Sequence, residues 1–167
     1  MPLRIAIFDD NSNIRDSITL LLKTEKEFEV VGSFAHVLDC LDEVKKCQPD
    51  VVLMDIEMPG MTGIEAVKAI HKEFPQVQVL MQTVFEDDDR VFESICAGAS
   101  GYILKNALNT RLIDFIKELQ FGGSPMSPSI ARKVLTKMQQ VPEIVKPGAA
   151  PDYHLTPREK EVLACVV

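Results

Sequence analysis

The sequence predicts an α/β fold: a doubly wound parallel sheet of five strands, followed by a linker helix and the start of a second, all-α unit. Three observations carry that prediction. Short apolar runs alternate with segments of helical periodicity up to residue 121. Capping residues, prolines and glycines punctuate the helical segments where they should begin and end. Acids, a hydroxyl and a lysine fall just past the strand ends, where open α/β sheets hold their ligands.

The runs Leu3–Phe8, Phe28–Gly32, Val51–Met54, Val77–Met81 and Gly101–Leu104 read as buried strands, because they are short and rich in Val, Ile and Leu. Between them, Ile14, Ile18, Leu21 and Leu22 share one helix face. Ile64, Val67, Ile70 and Phe74 share a second, and Leu112, Phe115, Ile116 and Leu119 a third. Thr62 and Glu65 have capping-box spacing, and Pro75 ends the helix they open. Gly122–Gly123 stops the last one. Five strand–helix repeats call for a parallel sheet with helices on both faces.

Ser127–Pro128 reads as a cap and first helical position, and Ile130, Val134 and Met138 follow at helical spacing, so a helix is expected over about 128–140. The next stretch, VPEIVKPGAAPDYH, is a Pro/Gly-rich linker. LTPREKEVLACVV then opens with Thr156 and Glu159 at capping-box spacing and Pro157 at the first helical position. The expected organisation is a first domain over 1–122, a linker over 123–154 and the beginning of a further domain over 155–167.

Composition narrows the function classes. Net charge is −7, unevenly spread: residues 1–121 carry 12 Lys/Arg against 21 Asp/Glu, whereas residues 122–167 carry 6 against 4. The first domain is therefore a poor nucleic-acid surface, and any DNA contacts belong to the C-terminal side of the chain or beyond it. No run of about 18 apolar residues is present, and the N-terminus lacks the pattern of a signal peptide. Cys40, Cys47, Cys96 and Cys165 have neither zinc nor disulfide-framework spacing. A reduced, cytoplasmic compartment with no membrane partner is the simplest reading.

The chemistry gathers at one sheet edge. The first strand ends in Asp9–Asp10, the third in Asp55 with Glu57 beyond it, the fourth near Thr83 and the fifth in Lys105. Clustered carboxylates repel one another, and a divalent cation relieves the repulsion; oxygen ligands favour Mg²⁺, Mn²⁺ or Ca²⁺. A carboxylate can also attack phosphorus and form an aspartyl phosphate, with the metal and Lys105 balancing the charge and Thr83 donating to a phosphoryl oxygen. Each signal has a plainer explanation. Paired acids commonly open a helix, and Glu86–Asp89 suits the positive end of one. His36, His71 and His154 are isolated, and Cys40 and Cys47 share a helix face as packing residues. VVLMD resembles the second acidic motif of nucleoside triphosphatases, but no G-x-x-x-x-G-K-[ST] accompanies it.

Taken together these residues resemble the receiver domain of bacterial two-component response regulators over residues 3–121. Asp9–Asp10 match the acidic pair, Asp55 in LMDIEMPGMTG the phosphoacceptor, Thr83 the switch hydroxyl, Tyr102 in GYILK the aromatic switch and Lys105 the motif lysine. AGASGYILKNA is similar to receivers of the NarL/FixJ type, and LTPREKEVL to the opening of their LuxR-type helix-turn-helix domain.

That resemblance implies a flavodoxin-like sheet in the order 2-1-3-4-5. It further implies Mg²⁺ or Mn²⁺ held by Asp10, Asp55 and the Glu57 backbone carbonyl, with Asp9 acting through water. A histidine kinase would phosphorylate Asp55, and the phosphorylated chain would switch a DNA-binding domain that regulates transcription. Expected partners are the kinase, a second copy of the chain, and promoter DNA for a longer parent only, because residues 155–167 read as a truncated start of the output domain with no DNA-binding residues. The chain would not be an enzyme beyond catalysing its own phosphorylation and dephosphorylation.

Asn106 follows Lys105 where many receivers have proline, and Glu57 and Phe85 hold positions that tune phosphoryl lifetime in the family. Alternatives are a receiver acting only through protein contacts, an aspartyl-nucleophile phosphatase and a flavin-binding module. D-I-E-M-P lacks the phosphatase's second Asp, and Asp9–Asp10 replaces a phosphate-cradling loop.

Overall fold

The computed structural model describes residues 1–84 and 86–140. Phe85, the linker 141–154 and the expected helix-turn-helix start at 155–167 lie outside the described residues.

The chain runs β1 (Leu3–Phe8), α1 (Ser12–Leu22), β2 (Phe28–Phe34), α2 (Cys40–Cys47), β3 (Val51–Asp55), α3 (Gly63–Glu73), β4 (Gln78–Thr83), α4 (Asp88–Cys96) and β5 (Gly101–Leu104). A 3-10 turn (Lys105–Ala107) leads into α5 (Leu108–Gln120), and α6 (Pro128–Gln140) comes next. All five strands are parallel, in the order β2-β1-β3-β4-β5. The flavodoxin-like order expected from the sequence is therefore the order found.

Strand alternation divides the core in two. Ile5, Ile7, Val51, Leu53, Leu80 and Ile103 face α1 and α5, meeting Ile18, Leu22, Leu112, Phe115 and Ile116. Ala6, Phe8, Val52, Met54, Val79 and Met81 face the other way, meeting Val44, Val67, Ile70 and Val91. Each fully buried Ile or Leu contributes roughly 1.5–3 kcal/mol of transfer free energy. The apolar helix stripes read from the sequence are the ones that supply these contacts.

Three strands run further than their apolar runs, β3 by Asp55 alone. β2 continues past Gly32 to Phe34, whose ring stacks on Phe8 with centroids 4.8 Å apart. β4 continues past Met81, pairing Gln82 with Asp55 and Thr83 with Leu104. Hydrophobic pattern underestimates these ends because Gly32 and Ser33 interrupt the apolar run of β2, whereas the last residues of β4 are polar and lie beside the acidic site.

Helix starts obey local chemistry. Thr62 and Glu65 form the expected reciprocal capping box on α3. Asp87 caps α4 by accepting from the Asp89 and Arg90 amides, so the run of acids does open a helix. Ser127 Oγ accepts from Ile130 N at 3.3 Å and opens α6. Pro125 O accepts from Tyr102 N at 3.0 Å, which brings the segment before α6 alongside β5. Gly101 permits that approach, since a Cβ there would lie 2.8 Å from Pro125 O. Ile130 and Val134 then join the core cluster that holds Tyr102 and Val91.

Candidate functional site

β1 and β3 are neighbours in the sheet, yet their chains leave in opposite directions, so a crevice opens beyond their carboxyl ends. Asp9 follows β1 and is fully buried. Its Oδ1 accepts the Asn11 amide at 2.9 Å. Its Oδ2 accepts both Lys105 Nζ at 2.7 Å and Gln82 Nε2 at 3.2 Å. Asp55 ends β3, is 4% exposed, and its Oδ2 accepts the same Lys105 ammonium at 2.8 Å. Asp10 is exposed beside them.

That packing sets the electrostatics. Burial pushes the Asp55 carboxyl up; hydrogen bonding and charge from Lys105 offset part of the rise, and Asp9 adds to it. Burial alone would lower the Lys105 ammonium, but its hydrogen bonds to Asp55 and Asp9 outweigh burial and leave it raised. Desolvation raises the Tyr102 hydroxyl well above its ordinary value.

Asp9, Asp10 and Asp55 each present a carboxylate oxygen, and these oxygens lie within 4.8 Å of one another. Three hard oxygen donors converging this way fit Mg²⁺ or Mn²⁺. Asp9 is fully buried with both oxygens engaged, which suits a role through an intervening water better than direct ligation. Glu57 lines the adjoining open cleft with Asp10, Met58, Pro59 and Thr62. Its side chain pairs with Arg90 at 2.9 Å.

The fold thus brings Asp9, Asp10, Asp55 and Lys105 together, with Glu57 at the rim. Thr83 is buried at the end of β4, one residue past the Gln82–Asp55 pair. Tyr102 sits on β5, paired with Met81, and its side chain is fully buried. Three residues at the site were not singled out from the sequence, although Gly63 closes the LMDIEMPGMTG segment. Arg90 spans the cleft from α4, Gly63 packs on Asp55, and Gln82 reaches Asp9 from below. A glutamine inside the apolar run QVLMQT was the visible clue to the last.

A doubly wound sheet in this order, with acids and a lysine at its switch point, defines a receiver-type domain. The chain belongs to the response regulator receiver domain family, whose model matches residues 5–117. It is 33% identical to the transcriptional regulatory protein LnrK of Bacillus subtilis, over 97% of this chain and 76% of that protein. It is 31% identical to the response regulator protein VraR of Staphylococcus epidermidis, over 99% of this chain and 76% of the relative. Among solved structures it resembles a LuxR-family two-component response regulator from Aurantimonas sp., with TM-score 0.77 and 27% identity, covering 84% of this chain and all of that one. Among the described residues no helix is long and apolar enough to cross a membrane.

Proposed function

We propose that Asp55 is the phosphoacceptor of a two-component system and that its modification controls a C-terminal DNA-binding segment. The observation that carries this reading is Lys105 Nζ, set 2.8 Å from Asp55 and 2.7 Å from Asp9 at the mouth of the switch-point crevice. One Asp55 oxygen attacks the phosphorus of a phosphohistidine on the kinase. The P–N bond breaks, and the imidazole takes up a proton as it leaves. Lys105 follows the charge onto a phosphoryl oxygen, and the Thr83 hydroxyl donates to another. Asp10, Asp55 and the Glu57 carbonyl would hold Mg²⁺ or Mn²⁺, with Asp9 acting through water, and the ion would supply positive charge beside the phosphoryl group.

In this reading the chain turns over no separate substrate. It acts in the cytoplasm, takes a histidine kinase and a second copy of itself as partners, and reaches promoter DNA through a DNA-binding segment C-terminal to the receiver rather than through the receiver itself. The sign of charge supports the last point, since residues 1–121 carry nine more acids than bases. Mass spectrometry after exposure to acetyl phosphate and Mg²⁺ tests the assignment. The chain should gain one phosphoryl group and Asp55→Asn none; equal gain by Asp55→Asn would place the acceptor elsewhere.

A further inference from the structure

Gln82 is fully buried at the carboxyl end of β4, on the sheet face it shares with Leu80. Its amide is used on one side only. Nε2 donates to Asp9 Oδ2 at 3.2 Å, whereas Oε1 is buried with no hydrogen-bond partner among the described residues. An orphaned carbonyl in the interior destabilises a fold, and a side chain of the same shape without polar atoms avoids that cost. Packing alone therefore does not account for a glutamine here; its donor does.

The bond it makes is placed where the site needs it. Among the described residues Asp9 Oδ2 has two partners, Gln82 and Lys105, and Lys105 is shared with Asp55. Asp9 Oδ1 is fixed by the Asn11 amide. If Lys105 moves toward a phosphoryl group on Asp55, Asp9 keeps its orientation only through Asn11 and Gln82. Without Gln82, Oδ2 would depend on Lys105 alone, and the ammonium would have a stronger hold on Asp9.

We infer that Gln82 is a positioning residue: its Nε2 holds Asp9 in place for the cation site, which frees Lys105 to serve Asp55. The inference rests on the assignment of Asp55 as phosphoacceptor beside a Mg²⁺ site. Partners that orient groups around a metal typically change affinity or activity by about 10–100-fold when removed.

The test compares the chain with Gln82→Met and Gln82→Leu. Each is assayed for Mg²⁺ affinity by amide NMR titration, for acetyl phosphate-driven mass gain, and for thermal stability. Both variants should melt at or above the temperature of the unaltered chain, yet bind Mg²⁺ about tenfold more weakly and gain phosphoryl mass more slowly. Unchanged Mg²⁺ affinity and phosphorylation in stable variants would overturn the inference. Loss of folding in both would overturn it too, making Gln82 a structural residue. Failure of the underlying reading looks different: the unaltered chain itself would bind no Mg²⁺ or gain no phosphoryl mass.

Discussion

Gly63 lies so close over Asp55 that a Cβ at position 63 would sit 1.8 Å from the Asp55 carbonyl oxygen. Gly63 N also donates to Ile56 O at 2.8 Å, so α3 begins directly against the strand end that carries the acceptor. The obstacle is backbone, which no rotamer change relieves. Gly63→Ala should therefore force α3 outward, costing about 3 kcal/mol, the upper end for overpacking. Urea unfolding measures it, and a variant as stable as the parent would show that the contact is not tight. Asp55 phosphorylation should slow in the same variant.

Lys105→Met should unbalance the two acids it bridges. With Lys105 11% exposed and its partners nearly buried, the loss at neutral pH in EDTA should be about 3 kcal/mol. The sign with pH comes from the two directions. Lys105 is raised in the fold, so its contribution is complete below its unfolded-state value and disappears only as pH rises through the folded one. Asp55 is also raised, so its ionised form is the costly one, and removing Lys105 takes away two influences that lower it. The stability gap between parent and variant should then shrink as pH falls through the Asp55 transition. A gap that widens on acidification would contradict this account.

Two kinds of contact hold α6, and they should differ in weight. Ile130 is fully buried against the Tyr102 cluster, and Ile130→Ala should cost about 2–4 kcal/mol. Lys133 pairs with Asp88 at 3.0 Å and donates to Glu86 O, at a largely solvated edge. Lys133→Ala should cost under about 1 kcal/mol. Denaturant melts of both variants decide it; the reverse ranking would mean that charge, not packing, docks the helix.

The strand–helix alternation was legible because strands buried on both faces carry apolar runs, as in VVLM of β3 and IAIF of β1. Capping residues marked α3, α4 and α6 because a cap depends only on neighbours in the chain. Asp9, Asp10, Asp55 and Lys105 were legible because each lies at or just past a strand end. Arg90, Gly63 and Gln82 were not, since their roles arise from contacts across 33, 8 and 73 positions of sequence. The Arg90 and Gln82 pairings depend on how the sheet brings distant elements together, which local pattern does not encode; the Gly63 contact closes the loop after β3 inside the LMDIEMPGMTG segment.

Thr83 provides the last prediction, and its argument begins at Tyr102. The ring is already buried, in the cluster that includes Met81, Val91 and Ile130, so it does not have to swing in from solvent for a signal to pass. What remains to move is the end of β4 and the loop leading to α4, whose Glu86 carbonyl is held by Lys133 of α6. A Thr83 hydroxyl drawn toward a phosphoryl group on Asp55 would pull that loop and disturb Val91, Tyr102 and Ile130 behind it. Coupling of this kind is usually ~1–3 kcal/mol. With beryllofluoride as the phosphoryl mimic, amide NMR shifts should appear near Asp55 and also at Val91, Tyr102 and Ile130. In Thr83→Ala the shifts near Asp55 should persist, because Lys105 still receives the charge, while those at the three distant residues should collapse. Phosphoryl mass gain should stay within a few-fold of the parent, whereas any phosphorylation-induced dimerisation should be blunted. Full distant shifts in Thr83→Ala would mean that the signal leaves the site by another path.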